Sequence, residues 1–156
     1  MNIFVLDKDP IVAAKMQCDK HVVKMVLETA QMLCTAHPKD TAPYKPAYIN
    51  HPCTVWTRQS VDNYRWLSIH GLALALEYRN RYKKIHKSEK VIMWCHDHIP
   101  QIPTIGITSR PKCMPDKYKV PSVVQSYRNY YNGDKAGFAQ WKFSESPEWF
   151  MGEFVK

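Results

Sequence analysis

The stretch DKHVVKMVLETAQML, residues 19–33, places His21, Lys24 and Glu28 at helical spacing. Wound as a helix, it brings Glu28 and Met32 within about 20° of His21, Met25 within about 40° and Lys24 within about 60°. Val22, Leu33, Val26, Ala30, Val23, Cys34 and Leu27 fall on a second arc, from roughly 100° to 240°. That second arc reads as the core face, with the imidazole, ammonium and carboxylate opposite it. A histidine beside a carboxylate can pass protons, and neighbouring lysines can hold phosphates. The plain alternative is a solvated face with an i, i+4 Lys24–Glu28 pair, worth only roughly 0.3 kcal/mol. Met25 and Met32 on the same stripe argue that something covers it: the first strand, the long loop or a ligand.

Other groupings of chemical interest carry less. Cys18/His21 and Cys34/His37 both have Cys-x-x-His spacing, but zinc needs its ligands to converge. Cys34 lies about 220° from His21 on one helix, so these four do not. Cys95, His96 and His98, with Cys113 or His86, are dense in ligand types. Adjacent ligands on a helix point apart, however, and no Cys-x-x-Cys completes a tetrahedral set. A structural histidine cluster is expected there, with no metal and no cofactor. Cys18, Cys34 and Cys53 read as core packing.

The formal net charge of the 156-residue chain is +8. That excess favours a polyanionic partner, nucleic acid ahead of a membrane surface. No run approaches the length of a membrane span. Between Arg110 and Lys142 the cations Arg110, Lys112, Lys117, Lys119, Arg128, Lys135 and Lys142 outnumber Asp116 and Asp134. Interleaved Tyr118, Tyr127, Tyr130, Tyr131, Phe138 and Trp141 make a composition that tracks phosphates and stacks on bases. On a helix Tyr127, Tyr130, Tyr131 and Asp134 share one face, so part of the set belongs to the core.

The elements that must position these groups are mostly helices. MNIFVL reads as a short buried strand or extended arm. Asp9 as cap and Pro10 at the first position start a helix expected to run to about Ala36. A proline-rich loop over residues 39–52 leads to a helix from Pro52 that includes Trp56. A third helix, capped by Asp62, covers VDNYRWLSIHGLALALEYRNRYKK, and a shorter one follows Ser88. Between Ile99 and Pro121 prolines dictate a long ordered loop. VPSVVQSYRNYYNGDKAGFAQWK returns to helix, bent near Gly133, before a short aromatic tail. With 45% hydrophobic residues in 156, the expectation is a mainly α fold: a compact single-domain helical bundle with a short N-terminal extended segment and a long Pro-rich loop. An odd count of five cysteines and no signal-like opening point to a reducing, cytoplasmic setting. A monomer is expected.

DKHVVKMVLE, together with YINHPCTVWTRQ…NYRWL…LEYRNRY, resembles the pyrimidine-dimer DNA glycosylase/AP lyase family of phages and bacteria, the phage endonuclease V-like enzymes. The shared features are His21…Glu28, Asn50-His51-Pro52 and Glu77…Arg81-Tyr82, and the tail PEWF with Trp149 is similar to the aromatic tail of the phage enzymes. The resemblance implies a small helical enzyme that flips nucleotides out of double-stranded DNA. Its N-terminal α-amine attacks C1′ of a damaged or modified nucleotide to form an imine, a glutamate assists, and β-elimination follows. The glutamate maps to Glu28 and a DNA-contacting histidine to His21. α-Amines as a class, with pKa about 8, are better nucleophiles at neutral pH than lysines at about 10.4.

The chain also departs from the family. Asn2 in place of a small residue hinders removal of the first methionine, so either the amine is that of Met1 or the lyase step is missing. Leu27 and Gln31 stand where the family has arginines. The DNA clamp must then come from elsewhere, with Lys20, Lys24, Arg58 and Arg65 as candidates beside the C-terminal Lys112, Lys117, Lys119, Arg128, Lys135 and Trp149. Pyrimidine dimers and other modified bases fit equally as substrates. A non-catalytic nucleic-acid-binding module and a small nucleotide hydrolase using His21 and Glu28 stand as alternatives.

Overall fold

A computed structural model describes residues 1–156. Its helices are α1 (Pro10–Met16), α2 (Asp19–Thr35), α3 (Pro52–Gln59), α4 (Val61–Tyr82), α5 (Glu89–Asp97) and α6 (Val123–Asn132), with a single 3₁₀ turn at Asp116–Tyr118 and no strand. The fold is mainly α, as the periodicity requires. The long helix α4 is central and packs against α1, α2, α3 and α5. At its crossing with α2 and α5, a Cβ on Gly71 would lie 2.8 Å from Thr29 Cγ2 and 3.1 Å from Ile92 Cγ2. Only glycine lets the three helices approach that closely.

Asp9 does cap α1, its carboxylate accepting from the N–H groups of Ile11 and Val12, and Pro10 opens the helix. The helix does not continue to Ala36. Gln17 and Cys18 are extended, with ψ of 139° and 162°, and α2 starts afresh at Asp19. The buried Arg81 stabilises this break. It donates to Lys15 O at 3.0 Å and Gln17 O at 2.7 Å, satisfying carbonyls that the interrupted helix leaves free. On the far side Cys18 N–H donates to the Tyr131 hydroxyl and Asp19 N–H to Gln140 O. All these partners are remote in sequence, which is why local pattern shows one helix where there are two.

Packing around α2 corrects the helical wheel. Val23 and Leu27, placed on the core arc, are 40% and 42% exposed. His21, Met25, Glu28 and Met32 are buried instead, together with Val22, Val26, Ala30 and Leu33. The buried arc is rotated toward the His21–Glu28 stripe because the N-terminal segment lies over that side, while Val23 and Leu27 have no comparable cover. The methionines were the correct signal.

That N-terminal segment, Ile3–Leu6, is buried but pairs with no strand. Phe4 turns it with φ of 60°, and Leu6 N–H donates back to Phe4 O. Side chains replace the missing ladder: Gln17 Nε2 donates to Ile3 O and Arg128 Nε to Leu6 O.

Other boundaries differ from expectation by their caps. Ser60, not Asp62, caps α4, its hydroxyl accepting from Asp62 N–H. Ser88 stands at the start of α5, but its hydroxyl bonds Tyr44 OH at 2.9 Å instead of capping the helix. α6 stops at Asn132 and does not bend onward through Gly133, whose ψ of −96° is not helical; the Tyr118 ring fills the space any side chain there would need, which keeps the position glycine. The proline-rich loop is ordered as expected. Trp56 Nε1 donates to Thr108 O, Asn63 brackets Thr108, and Val61 N–H donates to Pro103 O.

Candidate active site

The fold brings the two ends of the N-terminal argument together. The α-amine of Met1 lies 3.2 Å from Glu28 Oε1, and Lys24 Nζ lies 3.6 Å from Oε2. The Met1 side chain is only 1% exposed although the residue as a whole is half-buried, so its exposure is at the end that bears the amine. The amine–carboxylate pair is not aligned as a hydrogen bond, and buried Glu28 Oε1 has no hydrogen-bond partner. A carboxylate oxygen is thus held against an amine with its lone pairs unclaimed.

Asn2 does a different job. Its Oδ1 accepts from Ile3 N–H and from Tyr127 OH, both at 2.8 Å, and its Nδ2 donates to Cys113 O at 2.9 Å. These bonds anchor the chain one residue behind the amine. With Met1 ahead of it, the Asn2 nitrogen lies in a peptide bond while its side chain serves as an anchor.

Beside the pair opens a cavity of about 150 Å³, with Met1, Phe4, His21, Glu28, Tyr130 and Lys135 in its wall. A cavity of that size holds about one six-membered ring. The His21 ring stacks on Phe4 with centroids 4.1 Å apart, and its Nδ1 is 2.6 Å from the Tyr131 hydroxyl. That hydroxyl also accepts from Cys18 N–H and lies 3.6 Å from Cys18 Sγ, so it holds the imidazole ring in place from one side. Burial, helped by the charges of Lys135, Lys24 and Lys20, pushes the His21 pKa down to about 3. At neutral pH the ring is a neutral hydrogen-bonding group rather than a charged acid.

Residues 1–90 match the family model described as pyrimidine dimer DNA glycosylase. The chain belongs to the pyrimidine dimer DNA glycosylase family. No curated protein and no solved structure matches it. The family is one of DNA-repair glycosylases whose substrate is DNA. In this member of the family the matched stretch supplies Met1, His21, Lys24 and Glu28, whereas Tyr130 and Lys135 lie outside it.

Of the residues expected at the site of this glycosylase-family chain, Met1, Asn2, His21, Lys24, Glu28 and Lys135 gather at the cavity. Lys135 makes no ion pair and lies 4.8 Å from the Tyr130 ring centre, a half-buried cation facing the opening. Lys20 Nζ stands 4.7 Å over Phe138, whose ring meets His21 edge-on. The remaining cations are not part of the cavity wall, and most are engaged in local structure. Arg58 donates to Ile49 O, Lys112 to Val120 O, and Lys119 pairs with Asp116. Arg128 holds Leu6 O and packs 5.4 Å from Trp149, which itself donates to Met16 Sδ. Lys117 lies 5.0 Å over Tyr118, while Arg65 is exposed on α4. Phe4, Tyr130 and Tyr131 were not singled out for this pocket. Tyr118, Tyr127 and Tyr131 are the fully buried part of the aromatic run, and Tyr131 is what orients His21.

The metal groupings read from spacing do not assemble. Cys34 Sγ faces Cys95 Sγ at 3.7 Å, His37 bonds Tyr64 OH, and Cys18 lies 3.6 Å from Tyr131 OH. His96 bonds Ser68, and His98 stacks on Trp94. A grouping not considered from sequence does converge: donor atoms of His51, Cys53 and Cys113 all lie within 4.8 Å of one another.

Two buried histidines make the fold acid-sensitive. His70 is fully buried, bonded to Pro10 O and Gln17, and burial pushes its pKa down to about 4. In the unfolded chain both His70 and His21 take up protons below about pH 6.5. Their folded values are lower, so the unfolded state binds more protons in the window from about 6.5 down to about 4 and 3. Stability present above the window is lost as pH falls. At pH 5.5 each histidine is expected to cost on the order of 1 kcal/mol relative to pH 7.5. Guanidinium unfolding at the two pH values measures this, and a midpoint unchanged or higher at pH 5.5 contradicts it.

Proposed function

We propose that the chain excises a damaged or modified base from double-stranded DNA, with the Met1 α-amine as nucleophile and Glu28 as the assisting carboxylate. The observation that carries this reading is the 3.2 Å approach of amine and carboxylate at the wall of a one-ring cavity. In the step proposed, the neutral amine lone pair bonds to C1′ of a flipped nucleotide. The bond from C1′ to the base breaks, and its electron pair leaves with the base, which takes a proton. Glu28 opposes the positive charge that develops on the sugar and accepts the proton given up by the attacking nitrogen. Where a lyase step follows, the nitrogen lone pair of the aminosugar forms the C1′=N bond as the C1′–O4′ bond breaks and O4′ takes a proton; the protonated imine acidifies the C2′ hydrogen, and its removal expels the 3′ phosphate by β-elimination.

Neutral His21, held by Tyr131 and stacked on Phe4, contributes a hydrogen-bonding ring at the cavity wall. Lys135, Lys24 and Lys20 surround the pocket with positive charge suited to the flanking phosphates. Flipping is cheapest where the lesion has already weakened stacking and pairing. Leu27 and Gln31 present no guanidinium on α2, so a lesion other than the dimer fits this pocket equally well.

The test uses UV-irradiated, abasic and undamaged duplexes with borohydride trapping. A covalent adduct on damaged or abasic DNA is expected. It should fall by roughly 100-fold or more with Glu28→Gln, the scale of a lost acid–base group. Binding that ignores damage, with neither adduct nor cleavage, would leave the chain a non-catalytic binding protein.

A further inference from the structure

His51, Cys53 and Cys113 come from two places in the chain. His51 and Cys53 flank Pro52 at the start of α3, and Cys113 lies on the proline-rich loop after α5. The two sulfurs are 3.6 Å apart. Two thiolates bound to one zinc at about 2.3 Å each, spanning a tetrahedral angle, stand about 3.8 Å apart. The spacing of the sulfurs is therefore already that of a shared metal. A ring nitrogen of His51 completes a set whose atoms all lie within 4.8 Å. The Cys34–Cys95 pair has similar spacing, at 3.7 Å, but no histidine or carboxylate joins it to make a third donor.

Cys113 is held in place by bonds that leave its sulfur free for this role. Its carbonyl accepts from Asn2 Nδ2, and its N–H donates to Tyr127 OH. Cys53 is fully buried in the first turn of α3. His51 is half-exposed and caps α3, its Nδ1 accepting from Cys53 N–H at 3.1 Å. Coordination through this nitrogen exchanges one neutral hydrogen bond for a coordinate bond.

We propose that His51, Cys53 and Cys113 bind a thiophilic divalent cation, zinc above all, with water in the fourth position. The thiols release their protons to solvent on binding, and no electron changes hands. The ion clamps the proline-rich loop to α3. Through the Asn2–Cys113 bond it also steadies the segment that ends in the Met1 amine. Its role is that of a joint behind the reacting pair.

Cobalt(II) added to the reduced full-length chain under anaerobic conditions tests this directly. One equivalent should produce a sulfur-to-cobalt charge-transfer band and the strong visible bands of four-coordination, both bleached by zinc. Cys113→Ser, a half-exposed position that threatens the fold least, should abolish the charge-transfer band. Cys53→Ser should do the same, and His51→Ala should weaken binding by about tenfold or more. Zinc should raise the thermal midpoint of the natural chain and leave that of Cys113→Ser unchanged. Absence of the band, its survival in Cys113→Ser, or a Cys53–Cys113 disulfide forming in place of the complex overturns the proposal.

Discussion

A chain carrying one additional residue ahead of Met1 is expected to form no trapped adduct with abasic duplex DNA, while still folding. The extra residue converts the Met1 nitrogen into an amide, which has no nucleophilic lone pair. It also moves the new amine by up to about 3.8 Å, one Cα step. Misplacement of a reacting atom by about 1 Å already costs on the order of 100-fold in rate. The Met1 side chain stays buried and Asn2 keeps its three hydrogen bonds, so the anchor of the segment is not disturbed. The comparison is adduct yield for the natural and extended chains, with circular dichroism to confirm that both are folded. An extended chain that traps at the natural rate removes the α-amine from the mechanism and shifts attention to a lysine at the pocket.

The largest expected effect on stability comes from Arg81→Ala. The Arg81 side chain is 1% exposed and lies 3.1 Å from Asp19 Oδ1 and 3.0 Å from Glu77 Oε1. It also satisfies the carbonyls of Lys15 and Gln17 at the break between α1 and α2. Removing the guanidinium leaves two poorly hydrated carboxylates and two carbonyls without their partner. Breaking a buried ion pair by deleting one member costs about 3–5 kcal/mol. Urea unfolding of the variant measures this, and a loss below about 1 kcal/mol would show that α1 and α2 hold their angle without it. Arg81→Lys should recover only part of the loss, because one ammonium cannot reach four acceptors in a planar fork.

Local chemistry was legible where a residue acts on its own neighbourhood. Asp9–Pro10 starts α1 because cap and first position are adjacent, and Pro52 opens α3 for the same reason. Glu28, Lys24 and His21 were found together because helical spacing alone makes them neighbours. What stayed hidden depends on partners far along the chain. The break at Gln17 is stabilised by Arg81, the orientation of His21 by Tyr131, and the burial of the Glu28 stripe by residues 3–6. Hydrophobicity misled at Val23 and Leu27, since an apolar residue on the surface costs little when nothing packs over it. The resemblance to the glycosylase family pointed to Glu28 and the N-terminal amine, and the Met1 amine lies 3.2 Å from Glu28.

The cavity is built by two stretches of chain with separate duties. One wall, Met1 to Glu28, carries the amine and the carboxylate; the other offers an aromatic ring from Tyr130 in the last turn of α6 and a cation from Lys135 just beyond it. Under the proposed function, the reaction and the choice of lesion then rest on separate stretches of chain. Exchanging Tyr130 or Lys135 is expected to change which nucleotide is admitted while the amine and carboxylate stay where they are.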